Sequence, residues 1–231
     1  MVSGGGTNLQ SILDACAAGG ASPPAPSPGR GGGRGIDAEV TVVISNVADA
    51  YALERARRAE VPGVCVPAGR RSGTAEWEAA DPAHLKLLAE HGVELICMAG
   101  YLRRLGPGVL EAYQGRVMNI HPALLPSFIG AHGQRDAVEY GVRVSGCTVQ
   151  FADGQFDTGP IIIQAAVPVL PGDDAASLGA RILVQEHRIY PQAIQWYAQG
   201  RLSLEGRRVV LLNPPPPTIA EAIISPGLEI F

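Results

Sequence analysis

The sequence predicts an α/β fold, with a mostly parallel sheet that carries helices on both faces. Apolar segments of strand length alternate with longer segments whose apolar residues recur at helical spacing, and this alternation is typical of strand–helix–strand units. Residues 94–98 are a nearly continuous apolar run, as expected for a strand buried on both faces. With 231 residues, 46% of them apolar and 17% charged, the chain suits one domain with a substantial core.

The elements follow from the same spacing. Leu9, Ile12, Leu13 and Cys16 recur at helical intervals, which predicts the first helix. Further on, the pattern predicts strands at residues 40–45, 64–66, 94–98 and 116–120, with helices at 48–60 and 76–91. In the second half, strand-like segments at 146–151 and 160–167 flank a polar loop and are expected to be neighbours, and a helix is expected at 175–190.

Two segments fall outside this pattern. Residues 21–35 are too rich in proline and glycine to pack, so we expect a mobile insertion, with a proline-rich partner motif as the alternative. The tail after Leu212 includes four consecutive prolines and is expected to be loose. We therefore place the domain at residues 1–200 and a C-terminal extension at 201–231.

Composition excludes several classes of protein. The formal net charge is −4 and basic residues are not interleaved with aromatic ones, which argues against a nucleic-acid surface. The chain has no apolar run near membrane-spanning length and no signal-peptide pattern, so the cytoplasm is the expected compartment. The four cysteines are scattered without a C-x-x-C pair and are interpreted as reduced thiols. The sequence leaves both a monomer and a homodimer open.

The most informative polar residues follow the strand at 116–120. Asn119 and His121 are two positions apart, so they project from the same face of that strand, and Pro122 then ends it. Ligands of open α/β sheets bind beyond the carboxyl ends of the strands, which is where this pair lies. A lone histidine at a strand end is more often structural, so the interpretation depends on its neighbours.

Those neighbours form three motifs. They are Asn-Ile-His-Pro at 119–122 with Leu-Leu-Pro at 124–126, Gly-Ala-His at 130–132, and Asp-Thr-Gly-Pro at 157–160. From about residue 3 to residue 200, the chain resembles the 10-formyltetrahydrofolate-dependent formyltransferases. The resemblance implies a single Rossmann-like formyltransferase domain. The short single domain is most similar to the branch of this family that formylates glycinamide ribonucleotide in purine synthesis.

A second chemical element, residues 3–10, opens the first helix with three glycines. Glycines let the backbone approach an anion closely, and the free N–H groups of a helix N-terminus favour phosphate. A tight connection without a ligand is the alternative. Because the family's phosphate loop has the same Gly-Thr/Ser-Asn form, the resemblance implies that Gly6, Thr7 and Asn8 bind the substrate phosphate.

Other contacts are implied by the resemblance alone. Glu186 would hold the ribose or amine end of the nucleotide, and a solvated helix charge is the alternative. His132 is either a supporting residue behind the reaction centre or a structural one. Arg104 replaces the usual aliphatic residue, and the family's basic folate contact near residues 70–77 has no clear match. The expected folate contacts are Leu102, Arg103, Arg104, Leu105, Asn119, Asp153, Gly154, Gln155, Phe156 and Asp157.

The residue types suit amine formylation. His121 can move a proton between the attacking amine and the departing folate nitrogen near neutral pH. Asn119 offers an amide donor to the developing negative charge, and Asp157 would stabilise the imidazolium and position a water. The co-substrate is 10-formyltetrahydrofolate, and the proposed chemistry requires neither a metal nor a nucleophilic side chain.

Three alternatives stay open. A methionyl-tRNA formyltransferase would carry a further basic domain, and a formyltetrahydrofolate deformylase would carry an extra N-terminal regulatory domain. A nucleotide-binding module without activity would not need Asn119, His121 and Asp157 together.

The glycine-rich loop normally follows a buried strand, yet Met1-Val2-Ser3 already lies within the loop. The resemblance implies an apolar first strand ahead of it. We therefore expect residues 40–45 and 94–98 to lack a shared neighbour, and we expect a natural protein that is longer at its N-terminus.

Overall fold

The computed structural model describes residues 1–19, 35–68, 77 and 79–214. All of the predicted insertion except Gly35, and the tail from residue 215 onward, lie outside the described residues. So does the segment 70–76, in which the unplaced folate contact was sought. In chain order the elements are α1 (Thr7–Gly19), β1 (Val43–Ser45), α2 (Tyr51–Arg58), β2 (Gly63–Cys65), α3 (Ala80–Glu90), β3 (Ile96–Met98), α4 (Pro107–Ala112), β4 (Val117–His121), α5 (Gly133–Tyr140), β5 (Val144–Phe151), β6 (Ile161–Pro168), α6 (Ala175–Ala198), β7 (Leu202–Glu205) and β8 (Arg208–Leu211).

The α/β class is confirmed, and the sheets are more mixed than the sequence predicts. β1 pairs with β2 and β3 pairs with β4 in parallel. β4–β5 and β5–β6 are antiparallel, so the two strands expected to be neighbours are paired. The β5–β6 pairing is antiparallel because these strands are joined by a short loop, which cannot return the chain for a parallel pairing.

Helices cover both faces of these strands. Alternate strand residues enter opposite cores, because successive side chains of a strand point to opposite faces. Val43 and Met118 pack with residues of α1, α2 and α6, whereas Ile44 and Val117 pack with residues of α3 and α4. No described helix combines the length and the apolar character that a membrane crossing requires.

The last helix is longer than predicted. The spacing predicts an end near residue 190, but α6 continues through Pro191 to Ala198. Proline removes one helical hydrogen bond and favours an end at this point. Ala193, Ile194 and Trp196 beyond it are buried in the core, and their burial stabilises the continuation.

Residues Met1 to Ser3 lie between β1 and β3. The N–H of Val2 donates to the carbonyl of Ile44 at 2.9 Å, and the N–H of Ala99 donates to the carbonyl of Met1 at 2.9 Å. Behind Met1, a cavity of about 400 Å³ separates residues 37–43 from residues 92–97. The expectation that these two strands lack a shared neighbour is therefore wrong at residues 1–3, which lie between them.

Candidate active site

β4 positions the predicted pair at its carboxyl end. Asn119 and His121 lie on one face of the strand, as expected, and His121 is only 5% exposed. Thr148 lies opposite His121 in the antiparallel register. Its hydroxyl donates to the carbonyl of Ala123 at 2.7 Å and accepts from the N–H of Leu125 at 3.1 Å. The chain that follows His121 is thus fixed to the neighbouring strand.

Asp157 approaches this pair from the loop between β5 and β6. Its backbone is left-handed, with φ of 53°, a conformation that aspartate tolerates better than most residues. One carboxylate oxygen, Oδ2, lies 3.4 Å from Nδ1 of His121 and accepts the N–H of Gly130 at 3.1 Å. The other, Oδ1, accepts from Nδ2 of Asn119 at 3.2 Å. The three predicted reaction-centre residues therefore form one network.

The second ring nitrogen of His121 also has a partner. Nε2 lies 2.9 Å from the carbonyl oxygen of Phe128. Because a carbonyl only accepts, Nε2 carries the proton in this contact. A proton on Nδ1 would likewise meet the Asp157 carboxylate, whose Oδ2 lies 3.4 Å away.

The glycine-rich loop is shaped by α2. The carbonyl of Gly4 accepts the N–H of Ala52 at 3.1 Å, and the carbonyl of Gly5 accepts from Nε of Arg55 at 2.8 Å. In a trans peptide the C=O and N–H point in opposite directions. The N–H groups of Gly5 and Gly6 are therefore turned away from α2.

Gly6 is required by both conformation and space. Its φ is +68°, and a Cβ at this position would lie 2.7 Å from Cβ of Ala52. Its carbonyl accepts the N–H of Gln10 at 2.9 Å and so begins α1. The next N–H groups of the first helical turn have no helical partner.

Asn8 and Glu186 meet below this helix start. Nδ2 of Asn8 donates to a carboxylate oxygen of Glu186 at 2.7 Å, and both residues are buried, with Glu186 6% exposed. Burial raises the pKa of Glu186, while the Asn8 hydrogen bond and the nearby His121 oppose the rise. Oδ1 of Asn8 is buried without a hydrogen-bond partner among the described residues.

Eight of the ten predicted folate residues line one shallow pocket, and Leu102 and Gly154 lie outside its wall. It is bounded by Asn119, Arg103, Arg104, Leu105, Asp153, Gln155, Phe156 and Asp157, among others. The guanidinium of Arg104 lies 5.3 Å from the centre of the Phe156 ring. Its cavity volume is about 40 Å³, far below the roughly 300–1,000 Å³ of pockets that hold a small molecule. A ring-sized ligand therefore requires the 153–157 loop to move outward.

The side chains of Asp153 and Ser3 form hydrogen bonds that stabilise the two segments bordering this pocket. Asp153 accepts from the N–H of Gln155 and the hydroxyl of Thr158, both at 2.9 Å, and so stabilises its own loop. The hydroxyl of Ser3 accepts the N–H of Leu102 at 2.9 Å and donates to Oδ1 of Asn46 at 2.5 Å. Leu102 itself is 64% exposed. Ser3 thus joins the glycine-rich loop to the turn at residues 102–105.

In the structure His132 lies outside the network of Asn119, His121 and Asp157, whereas Gln150, which the motifs did not indicate, belongs to it. His132 is exposed at the start of α5, and none of the described hydrogen bonds joins it to His121 or Asp157; a supporting role stays a prediction. Gln150, buried on β5, donates from Nε2 to Oδ1 of Asp157 at 3.2 Å. Its position opposite Asn119 depends on the β4–β5 register, which the sequence motifs do not contain.

Comparison with known proteins identifies the class. The model of the formyl transferase family, described as "Formyl transferase", matches residues 1–194, and the chain belongs to this family. Phosphoribosylglycinamide formyltransferase of Haemophilus influenzae is 38% identical over 205 residues, which cover 89% of this chain and 88% of that protein. The crystal structure of glycinamide ribonucleotide transformylase 1 from Symbiobacterium toebii superposes with a TM-score of 0.79 at 49% identity, covering 92% of each chain.

A similar sequence also occurs within a longer protein. The trifunctional purine biosynthetic protein adenosine-3 of Drosophila pseudoobscura pseudoobscura is 40% identical over 202 residues. These residues cover 87% of this chain and 14% of that protein. The chain therefore spans a small part of such relatives and most of the bacterial ones.

Proposed function

We propose that the protein is an enzyme that transfers the formyl group of 10-formyltetrahydrofolate to the amine of glycinamide ribonucleotide. The observation that carries the proposal is the network of Asn119, His121 and Asp157, which brings an amide, an imidazole and a carboxylate together. Membership of the formyl transferase family and the names of the bacterial relatives support the same reaction.

The nucleotide's phosphate binds at the start of α1. The N–H groups of Gly6, Thr7 and Asn8 and the positive end of the helix dipole favour an anion there. Buried below them, Oδ1 of Asn8 lacks a partner among the described residues, and an unpaired buried acceptor costs about 1–3 kcal/mol. A donor of the bound substrate would remove this cost. The Glu186 carboxylate, near His121, would orient the substrate's amine end.

The folate binds in the pocket between the 102–105 turn and the 153–157 loop. The residues present fit a flat, partly charged ligand, because Leu105 and Phe156 offer apolar surface and Arg103 and Arg104 offer cations. Opening of the loop separates Arg104 from Phe156, which frees the aromatic face. This pocket ends at Asn119 and Asp157, so the formyl group would face the reaction centre.

His121 moves the proton that the reaction releases. A bond forms between the amine nitrogen and the formyl carbon, and the bond from that carbon to the folate nitrogen breaks. Nothing is oxidised or reduced. The amine gives up a proton, His121 accepts it, and the departing folate nitrogen receives one. Asp157 stabilises the imidazolium through Oδ2, 3.4 Å from Nδ1, and such general acid–base help contributes roughly 10²–10⁴-fold.

Asn119 stabilises the negative charge that develops on the formyl oxygen. One of its two amide hydrogens is used by Asp157, and a primary amide has a second to donate. Loss of one such donor typically lowers the rate by about 10²–10³-fold.

A direct assay tests the proposal. The purified protein is mixed with 10-formyltetrahydrofolate, with and without glycinamide ribonucleotide, and folate absorbance and formate are both followed. We expect release of the folate only when the nucleotide is present, with stoichiometric formation of its formyl derivative. Formate release without an acceptor would instead identify a deformylase, and formylation of methionyl-tRNA would identify the tRNA enzyme.

A further inference from the structure

Gln150 lies directly opposite Asn119 across β4 and β5. The antiparallel register pairs these two residues, and opposite side chains have Cβ atoms about 4.5–5.5 Å apart on the same face of the sheet. The pairing of β5 with β6 shifts between Val149 and Gln150, a bulge of the kind that redirects a side chain beside an active site. The fold thus places two primary amides side by side beneath Asp157.

Both amides donate to the same oxygen. Nδ2 of Asn119 and Nε2 of Gln150 each lie 3.2 Å from Oδ1 of Asp157. An ionised carboxylate has no proton to donate, so a reversed Gln150 amide would set its oxygen against a like partial charge. Gln150 is 1% exposed, and its Oε1 has no partner among the described residues. The Asp157 contact therefore determines how this amide is oriented.

We propose that Gln150 is a positioning residue for the formyl transfer: it holds Oδ1 of Asp157 so that Oδ2 stays against His121 when Asn119 turns toward the formyl oxygen. The two hydrogens of the Asn119 amide are fixed relative to each other, so a rotation that directs one hydrogen at the formyl oxygen weakens the contact of the other with Asp157. With Gln150 present, the carboxylate keeps a donor throughout the reaction. This inference rests on the proposed function, since it assigns a role within that reaction.

If Gln150 had a purely structural role, we would expect a different result. Its loss would lower stability but would not alter how the rate depends on pH. Loss of a positioning residue would alter the pH dependence, because a displaced Asp157 carboxylate would interact differently with the charged groups around it. Those groups are His121 on β4, Arg103 and Arg104 on the 102–105 turn, and Asp153 on the same loop as Asp157.

The test compares Gln150→Leu, Gln150→Glu and Gln164→Leu. Gln164 is the control, an exposed glutamine on β6 whose Nε2 donates to the carbonyl of Leu125 and the hydroxyl of Thr148 rather than to Asp157. Stability is measured by thermal unfolding, and kcat and KM for both substrates are measured across pH 5 to 9.

We expect Gln150→Leu to lower kcat roughly 10- to 100-fold, as for a lost hydrogen bond to a charged group. KM for both substrates stays within about 2-fold, because Gln150 acts through Asp157. In Gln150→Glu, two adjacent carboxylates share a proton up to a higher pH. The acid limb of its rate profile therefore moves to higher pH, whereas Gln164→Leu leaves that limb in place.

Two results would overturn the inference: a wild-type kcat and pH profile in Gln150→Leu, or equal changes in Gln150→Leu and Gln164→Leu. Failure of the proposed function is a separate result, since the wild-type protein would then transfer no formyl group. In that case crystal structures of Asn119→Ala and of the double variant Asn119→Ala/Gln150→Leu still decide the point, because Asn119 also holds Oδ1 of Asp157 in the unliganded protein. An unchanged contact between Oδ2 of Asp157 and Nδ1 of His121 in the double variant would refute the positioning role.

Discussion

The reaction centre and the glycine-rich loop achieve order by different means. Around Asp157, four groups converge on one carboxylate, and three of them are side chains, from Asn119, His121 and Gln150. In the loop, the backbone N–H groups are the proposed ligand contacts, and α2 fixes the backbone through the carbonyls of Gly4 and Gly5. The reaction centre therefore depends on the identity of its side chains, whereas the glycine-rich loop depends on the orientation of its peptide groups.

This difference predicts how each site fails. At the reaction centre, we expect removal of one functional group to slow a chemical step while the fold stays intact. In the loop, by contrast, a substitution acts by displacing the main chain, so binding and stability change together. The four predictions below test this contrast, from the largest expected effect to the smallest.

Asp157→Asn and His121→Ala should have the largest effect. Each should lower kcat roughly 10²–10⁴-fold, because each removes part of one proton-transfer unit. The double variant should lose little more than the worse single one, since residues that act as a unit are not additive. Steady-state kinetics with circular dichroism spectra check this. Full additivity of the two losses would show that Asp157 does not act through His121.

Gly6→Val should damage the loop and the fold together. The new Cβ would meet Cβ of Ala52 at 2.7 Å at a φ of +68°, and such overpacking costs about 1–3 kcal/mol. We expect weaker binding of glycinamide ribonucleotide, unchanged folate affinity and a lower melting temperature. Gly5→Ala is the matched control, because a Cβ there meets nothing within 4 Å. Equal loss of both ligands in calorimetry would contradict the phosphate assignment.

Glu186→Gln should separate binding from stability. Burial raises the pKa of Glu186, so the folded protein holds this proton more firmly than the unfolded chain does. Stability therefore falls as pH rises through the ordinary range of a glutamate and stays lower at neutral pH. The neutral glutamine removes this cost and can still accept from Asn8.

We accordingly expect Glu186→Gln to raise KM for glycinamide ribonucleotide about 10-fold, the loss of one charge-assisted contact. Its melting temperature at pH 7 should equal or exceed that of the wild type, while the two proteins converge at acid pH. A variant that is less stable than wild type at pH 7 but equal to it at pH 4 would show that ionised Glu186 stabilises the fold.

Arg55→Met should have the smallest effect. It removes the hydrogen bonds to Gly5 and to Oε1 of Gln10, so the peptide that presents the Gly6 N–H can turn. We expect KM for glycinamide ribonucleotide to rise roughly 3- to 10-fold with kcat nearly unchanged, which is the signature of lost ground-state binding. Arg57→Met controls for charge, since Arg57 is exposed and pairs with Glu54. Similar KM values for the two variants would indicate a long-range charge effect.

The sequence predicted the parts of the site that are carried by short motifs. Asn119 and His121 share a strand, so a period of two was sufficient to place them together. Asp157 was brought to them by the family resemblance, and the structure joins all three. The phosphate role of the glycine-rich start of α1 also came from the family resemblance, because a glycine-rich turn before a helix can equally be a tight connection without a ligand.

Gln150 and Arg55 could not be predicted because their roles depend on distant pairings. Gln150 reaches Asp157 through the β4–β5 register and the bulge next to it, and a slip of one residue would turn it to the other face. Arg55 reaches Gly5 only because α2 packs against the loop. The antiparallel half of the sheet was missed for a related reason, since apolar strands look alike in either direction.

The hydroxyl of Ser3 links segments that border the two proposed ligand sites, so we expect binding at the two sites to be coupled. It bonds at once to the turn that borders the folate pocket and to the loop after β1, from within the segment that leads to the phosphate site. A ligand that immobilises one of these segments lowers the entropy that the other ligand must still lose. Such coupling is reciprocal, so the nucleotide should tighten the folate by the same factor as the folate tightens the nucleotide. Ser3→Ala would make the two affinities independent.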